Sequence, residues 1–315
     1  MPSALITGIS GQDGFYLSNA LVAAGYEVHG IARNAPADST IVNLHSVDLL
    51  DSPALDSLVM HIRPDEIFNL AAISSVHRSW SEPLETMRVN VLPLAQLLDS
   101  AWKLHERGKE VRVVQASSAE VFGHSAESPQ TERTSVNPSS PYGAAKASAD
   151  HLVRVYRERG LFASSCILYN HESPRRSETF VTRKITAGVA RIATGSQTHI
   201  RLGKLDVHRD WGWAPDYARA LSLAARADSP DDFVIATGIT HSISDFVTAA
   251  FARVGITDWS DLVVIDPEFS RPVDPFAQVG DASRARTVLG WRNTVDFVDI
   301  VNAMVDHDMD LVLAG

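Results

Sequence analysis

The chain has 315 residues, 45% of them apolar and 21% charged, with both signs scattered along its length. That size suggests about two domains, or one large domain with a smaller lobe, and that balance excludes an intrinsically disordered chain. A formal charge of −10 argues against nucleic acid as the main partner, because phosphate backbones select basic surfaces.

Taken in chain order, "SALIT" reads as a short buried strand. The start "MPSALITGIS" lacks a basic segment, a long apolar core and a small-residue cleavage site, so no signal peptide is expected. "GISGQDG" then supplies Gly8, Gly11 and Gly14 ahead of the apolar-periodic run "FYLSNALVAAGY". Strand, glycine-rich turn and helix in succession fit a plain turn or a dinucleotide loop, and the placement between strand and helix favours the second. There the glycines permit a tight turn, let backbone N–H groups approach a pyrophosphate, and aim a helix N-terminus at its charge.

"EVHGIAR" reads as the second strand. An acidic residue at its end would hold the ribose 2′-hydroxyl of NAD, whereas an arginine accepts the 2′-phosphate of NADP, and Arg33 stands there. Asp48, in "VDLLD", fits an adenine-amino partner or an ordinary loop aspartate. Helical patterns near Ser52 to His61, Glu82 to Glu106 and Pro141 to Arg159 alternate with the strand-like runs "DEIFNLAA", "VRVVQAS" and "FASSCILY". Such alternation predicts an α/β Rossmann fold, a doubly wound parallel sheet covered by helices on both faces. The last run holds the lone Cys166, which cannot close an internal disulfide, and no Cys/His spacing fits a structural zinc site, so no metal is expected. No apolar run approaches the roughly 20 residues of a membrane span, and a cytoplasmic protein without membrane attachment is expected. From about Phe180 the alternation turns irregular. The expected division is therefore a dinucleotide-binding domain at 1–178 and a smaller, mixed α/β C-terminal substrate lobe at 179–315, with some segments of the second returning to the first.

Two stretches carry chemistry. In "QASSAEVFG" the strand "VRVVQAS" runs into Ser118 and Glu120, and a carboxylate at a strand end is either a solvated loop charge or a base aimed at a ligand. "SPYGAAKASADHLVRVYRERG" starts as a helix should, with Ser and Pro, and puts Tyr142 and Lys146 four apart on one face. A free tyrosine, with a pKa near ~10, is a poor base at neutral pH. A neighbouring ammonium and a nicotinium ring both favour its phenolate, which then takes a proton from a sugar hydroxyl.

"TGISGQDG" together with "YGAAK" resembles the extended short-chain dehydrogenase/reductase superfamily, whose members act mostly on nucleotide sugars. Within it the chain is most similar to the GDP-mannose 4,6-dehydratases, over nearly its whole length. The carrying stretches include "GYEVHGIAR", "PDEIFNLAA", "QASSAEVFG", "NPSSPYGAAK", "LYNHESPRR", "FVTRKIT", "LGKLDVHRDWG", "DFVIATG" and "RPVDPFAQVGDASRARTVLGW".

The resemblance implies a hydro-lyase that makes GDP-4-keto-6-deoxy-mannose from GDP-mannose. Hydride leaves C4 as Tyr142 takes the hydroxyl proton, and Ser118 hydrogen-bonds the C4 oxygen. Glu120 removes the C5 proton acidified by the ketone and assists departure of the C6 hydroxyl as water; the hydride returns to C6. The implied cofactor is NADP, with NAD left open, on Gly8, Gly11, Gln12, Asp13, Gly14, Arg33, Asp48, Leu49, Leu70, Ala71, Ala72, Tyr142, Lys146, His171 and Arg176. The implied substrate contacts are Asn170, Lys184, Arg209, Arg271 and Asp274 besides Ser118 and Glu120; Arg175, Arg176 and Arg183 are undivided between the two pyrophosphates.

The chain departs from the family pattern in four places. Ser118 replaces the usual threonine and keeps the donor; Ala119 replaces a serine next to Glu120; Asp274 replaces a glutamate. After Arg33 the chain has only "NAPADSTIVNLHSVDLLD" where the family carries a longer Arg/Ser-rich segment that helps bind NADP and reaches a neighbouring subunit. A homodimer is therefore expected, through the Tyr/Lys helix and the helix before it, with a tetramer as the wider alternative. The competing functions are a nucleotide-sugar 4-reductase or epimerase of the same superfamily, which needs Tyr142 and Lys146 but not Glu120, and an inactive nucleotide-sensing regulator.

Overall fold

The computed structural model describes residues 1–32, 43–269 and 277–314. In chain order these form β1 (Ser3–Thr7), α1 (Gln12–Ala23), β2 (Glu27–Ile31), β3 (Asn43–His45), α2 (Ser52–Ile62), β4 (Glu66–Asn69), α3 (Val76–Ser81), α4 (Pro83–Glu106) and β5 (Arg112–Ala116). A 3-10 turn (Ala119–Val121) precedes α5 (Pro141–Glu158), β6 (Phe162–Leu168), β7 (Asn170–Glu172), α6 (Val181–Ala193), β8 (Ile200–Leu202), β9 (His208–Trp213) and α7 (Ala214–Ala225). The remainder is β10 (Asp232–Ile235), β11 (Thr240–Ser242), α8 (Ile243–Arg253), β12 (Val263–Ile265), β13 (Ala277–Gln278), α9 (Ser283–Val288) and α10 (Phe297–Ala314), and a second 3-10 turn (Pro267–Phe269) lies between β12 and β13.

Seven parallel strands form the main sheet in the order β10-β6-β5-β4-β1-β2-β3. This is the doubly wound α/β fold that the alternation predicts. Its inner strands are buried on both faces, Leu5, Ile6, Ile67, Phe68, Val113 and Val114 being fully inaccessible, which is why they read as apolar runs rather than as alternating ones. Strand order reverses between β1 and β4, so the crevice for a ligand opens beyond the carboxyl ends of these two strands.

One face of the sheet packs on α1 and α7, with Leu17, Leu21, Tyr217 and Leu221 in its core. The other packs on α2, α4 and α5, through Leu55, Val59, Leu94, Leu98 and Val153. Helix α5 is held to the sheet edge by Arg154 Nε and Arg157 Nη2, which donate to the buried Asp232 of β10 at 2.8 and 2.6 Å. A separate core of Ile185, Val189, Trp211, Phe246, Phe251, Ile300 and Met304 joins α6, α8 and α10 to a smaller sheet of β11, β9, β13 and β7. Residues after 179 thus serve both cores, because β10 completes the large sheet and α7 packs on its face. Among the described residues no helix is long and apolar enough to cross a membrane.

Candidate active site

At the end of β1 the chain turns at Gly8 with φ 71°, where a Cβ would lie 2.8 Å from the Ala71 backbone nitrogen. Only glycine meets both demands without strain. Thr7 fixes the facing segment: its hydroxyl donates to Asn69 Oδ1 at 2.7 Å and accepts the Leu70 and Ala71 N–H groups, each at 3.1 Å. Sequence reasoning missed Thr7, whose only signal is a polar residue closing an apolar strand. Ala72 follows, half-buried. Gly11 and the buried Gly14 flank the start of α1, and Gly11 offers that start no side-chain cap.

Gln12 and Asp13 point from this start to β7. Gln12 Nε2 donates to the His171 carbonyl at 3.0 Å, and Gln12 Oε1 accepts from Ser173 Oγ at 2.7 Å. Both Asp13 oxygens lie 3.1 Å from His171 Nε2, while His171 Nδ1 faces the Tyr169 carbonyl at 2.7 Å and the ring stacks on Tyr217. Burial raises the Asp13 pKa, but the charge and hydrogen bond of His171 outweigh it and leave the carboxyl below its ordinary value. Burial likewise works against a charged His171, and Asp13 outweighs it, so the imidazole stands above its ordinary value. This pair and the Gln12 bonds tie the glycine-rich turn to the strand that also carries Asn170.

The three arginines left undivided by sequence take separate places. Arg176 Nε lies 3.2 Å from the buried Glu172, Arg175 lies over the Phe15 ring, and Arg183 gives its guanidinium to the buried Asp308, Nε at 2.7 and 2.9 Å and Nη2 at 2.6 Å. Arg183 thus ties α6 to α10.

Ser118, Glu120, Tyr142 and Lys146 come together beyond β5. Ser118 caps the 3-10 turn, its Oγ accepting the Glu120 N–H at 3.3 Å. Helix α5 starts with Pro141, and Ser140 caps it by accepting the Gly143 N–H at 3.0 Å. The two starts interlock: a Cβ at position 143 would lie 2.5 Å from the Glu120 carbonyl oxygen, so the missing side chain lets Tyr142 pack beside the turn that carries Glu120. Burial pushes the Tyr142 phenol up to about 12, with a hydrogen bond from Ser118 pulling the other way and the Glu120 carboxylate adding to the rise. Lys146, 3% exposed, donates through Nζ to the Ala116 carbonyl at 2.7 Å and stands 5.8 Å from the Tyr142 ring centre. Burial pulls its ammonium down to about 8. A phenol so raised is neutral at pH 7, and a cationic neighbour is what would favour its phenolate.

Toward the smaller sheet, Asn170 of β7 lies opposite Trp211 of β9, and the buried Arg209 sits two residues earlier on that strand. Arg209 Nη1 donates to the His208 carbonyl at 2.7 Å. Lys184, on the first turns of α6, stands over the Phe269 ring. Asp48, exposed beyond β3, accepts the Leu50 N–H at 2.9 Å, and Leu49 packs half-buried against the core. Arg33, Arg271 and Asp274 lie outside the described residues.

A family model described as GDP-mannose 4,6 dehydratase matches residues 5–304. The chain is 42% identical to "GDP-mannose 4,6 dehydratase 2" of Arabidopsis thaliana, covering 98% of this chain and 87% of that protein. In fold it is similar to a UDP-glucose 4-epimerase of Thermotoga maritima solved with UDP-glucose, with a TM-score of 0.87 at 23% identity over 98% of this chain and 99% of the other. It is also similar to RMD of Pseudomonas aeruginosa complexed with NADPH, with a TM-score of 0.82 at 22% identity over 98% and 100%. On the family match and the full-length relative, the chain belongs to the GDP-mannose 4,6-dehydratases, a family of hydro-lyases.

Proposed function

We propose that the chain dehydrates GDP-mannose to GDP-4-keto-6-deoxy-mannose, with Ser118, Glu120, Tyr142 and Lys146 as its reacting site. The observation that carries this proposal is the interlocking of the Glu120 turn with the start of α5, closed by Gly143. It sets a carboxylate beside the Tyr/Lys pair, and a reductase or epimerase has no step that requires one.

The glycine-rich turn fits a nicotinamide dinucleotide. A Cβ at Gly8 would fill the gap against Ala71, and the uncapped start of α1 leaves helix N–H groups and the positive dipole end for a pyrophosphate. Gly8, Gly11, Gly14 and the backbone at Leu70, Ala71 and Ala72 would hold the dinucleotide, with Tyr142 and Lys146 at its reactive end. NADP is the proposed form, on Arg33 two residues after β2. When bound, it supplies reversible hydride acceptance.

The side chains then have separable tasks. Tyr142, as phenolate, takes the C4 hydroxyl proton; Lys146 stabilises that phenolate by its charge. The Ser118 hydroxyl donates to the C4 oxygen. Glu120 removes the C5 proton and delivers it to the departing C6 hydroxyl, and C5 takes back a solvent-derived proton as hydride reaches C6. Asn170, Lys184 and Arg209, with Arg271 and Asp274, hold the nucleotide diphosphate and sugar, arginine forks suiting phosphate.

In the same proposal the chain works in the cytoplasm, which the free and buried Cys166 supports. It pairs with a second copy through α4 and α5, supported by the exposed Leu84, Met87 and Leu92 on α4 and Val155 on α5; a tetramer is the wider alternative. The test is mass spectrometry of the nucleotide sugar after incubation with GDP-mannose in deuterated water and catalytic NADP⁺. Loss of one water with one solvent deuterium kept on the sugar is expected. Unchanged GDP-mannose from folded protein loaded with its dinucleotide would refute the proposal.

A further inference from the structure

The face of α5 that carries Tyr142 and Lys146 continues one turn deeper to Asp150, a carboxylate 3% exposed that no step of the reaction uses. Both of its oxygens are taken. Ser117 Oγ donates to Oδ2 at 2.5 Å, and Ser165 Oγ donates to Oδ1 at 2.9 Å. Ser117 follows directly on Ala116, whose carbonyl accepts Lys146 Nζ at 2.7 Å, and the Ser117 N–H donates to the Cys166 carbonyl at 2.8 Å. Asp150 thus pins the one stretch of β5 that both receives the Lys146 ammonium and leads into Ser118 and Glu120.

We propose that Asp150 is a positioning residue that acts on the reaction through Lys146, its buried carboxylate holding the ammonium in the charged form and fixing the carbonyl that aims it. Among the charged groups around the pair, Asp150 favours the Lys146 ammonium most. Asp13, from the start of α1, also favours the ammonium but is engaged by His171. Asp232, which faces Asp150 from β10, is engaged by Arg154 and Arg157. The Cys166 thiol, next to Ser165 on β6, is held neutral by burial. Burial pushes the Asp150 carboxyl up to about 6, against the two serine hydroxyls, so it is an anion throughout the range in which Lys146 titrates. Without it, burial alone would strip the lysine of its proton at lower pH and remove the charge that favours the Tyr142 phenolate.

The inference rests on the dehydratase proposal for its catalytic consequence, and its test has a readout that needs no turnover. The chain has five lysines, so a protein labelled with 13Cε-lysine gives few signals, and Lys146→Arg assigns the one that matters. Side chains four apart on a helix are ~5–6 Å apart at Cβ, and at an effective dielectric of ~20 the loss of one charge shifts the partner by about two pH units. In Asp150→Asn the Lys146 titration should fall by that amount. The alkaline limb of kcat should move down with it, KM for GDP-mannose should hold below that limb, and Asp150→Glu should restore most of the shift.

A folded Asp150→Asn protein whose Lys146 titration and alkaline limb stay in place would overturn the inference. Should that variant not fold, wild-type protein carries the test: the Lys146 signal must respond as Asp150 titrates near 6, and a flat signal there overturns it equally. A shifted Lys146 in a chain that yields no dehydrated product would refute the proposed function and leave the Asp150–Lys146 coupling standing.

Discussion

Asp210 anchors β9 beside Arg209, and replacing it with asparagine tests how firmly the substrate side of the cleft is set. Its carboxylate is fully buried. Oδ1 accepts the Thr237 N–H at 2.9 Å and the Thr237 hydroxyl at 2.7 Å; Oδ2 accepts the Gly238 N–H at 2.8 Å and the Gly280 N–H at 3.4 Å. An asparagine keeps one acceptor oxygen and turns the other position into a donor. Whichever way it flips, two donors face an N–H₂ group. The flip that keeps the Thr237 bonds takes the acceptor from the exposed Gly238 and leaves the Gly280 N–H buried without one. A buried unsatisfied N–H costs ~1–3 kcal/mol, and the lost charge-assisted bond adds to it, so Asp210→Asn should destabilise by about 2–4 kcal/mol. With ~2.1 cal/mol/K of unfolding entropy per residue, that is a fall in Tm of roughly 3–6 °C for a chain of this length. Because β13 is registered on β9 with Gln278 opposite Arg209, the same change should raise KM for the nucleotide sugar more than it lowers kcat. Calorimetry and steady-state kinetics measure the two effects. A variant melting within about 1 °C of the parent, with KM unchanged, would refute the idea that this carboxylate organises the site.

The Asp13–His171 pair predicts a pH window. The raised His171 contributes stability that is whole below its unfolded pKa of ~6.5 and is lost as pH rises through the folded value; the depressed Asp13 contributes stability that is whole above ~3.9 and is lost as pH falls through its own. His171→Asn should therefore cost most, about 1–3 kcal/mol, near pH ~5 and progressively less in alkali, as denaturant melts at both pH values would show; an equal cost at both would remove the ion pair from the account. Asp308→Asn leaves the Arg183 guanidinium without its buried partner, and a loss of ~3–5 kcal/mol is expected by denaturant titration. A cost under 1 kcal/mol would mean that the pair contributes little beyond packing. Gly8→Ala combines ~1–2 kcal/mol of left-handed strain with a close approach to the Ala71 nitrogen, and should weaken dinucleotide binding in a fluorescence titration. Parental affinity would show that the dinucleotide does not use this cradle.

What was legible in the sequence was what local spacing encodes. The runs "SALIT" and "VRVVQAS" lie on β1 and β5, and the expected helix from Glu82 to Glu106 differs by one residue from Pro83–Glu106, because buried parallel strands and long helices carry their periods within one stretch of chain. Tyr142 and Lys146 were legible as one helical face for the same reason. The three residues of β3 and the six of α3 were not, since neither is long enough to show a period. The larger gap is in partner choice. Arg175, Arg176 and Arg183 look alike as residues, yet one lies on Phe15, one on Glu172 and one on Asp308, and the last contact spans 125 positions. Asp150 shows the same limit from the other side. Its spacing of four from Lys146 is visible in "YGAAKASAD", and so is that of any aspartate on an amphipathic helix. What distinguishes it is that Ser117 and Ser165 arrive on neighbouring strands to hold both of its oxygens, which only the order of strands in the sheet decides. Chemistry that depends on one helix can therefore be anticipated from its sequence, whereas the electrostatics that tune that chemistry belong to the sheet beneath it.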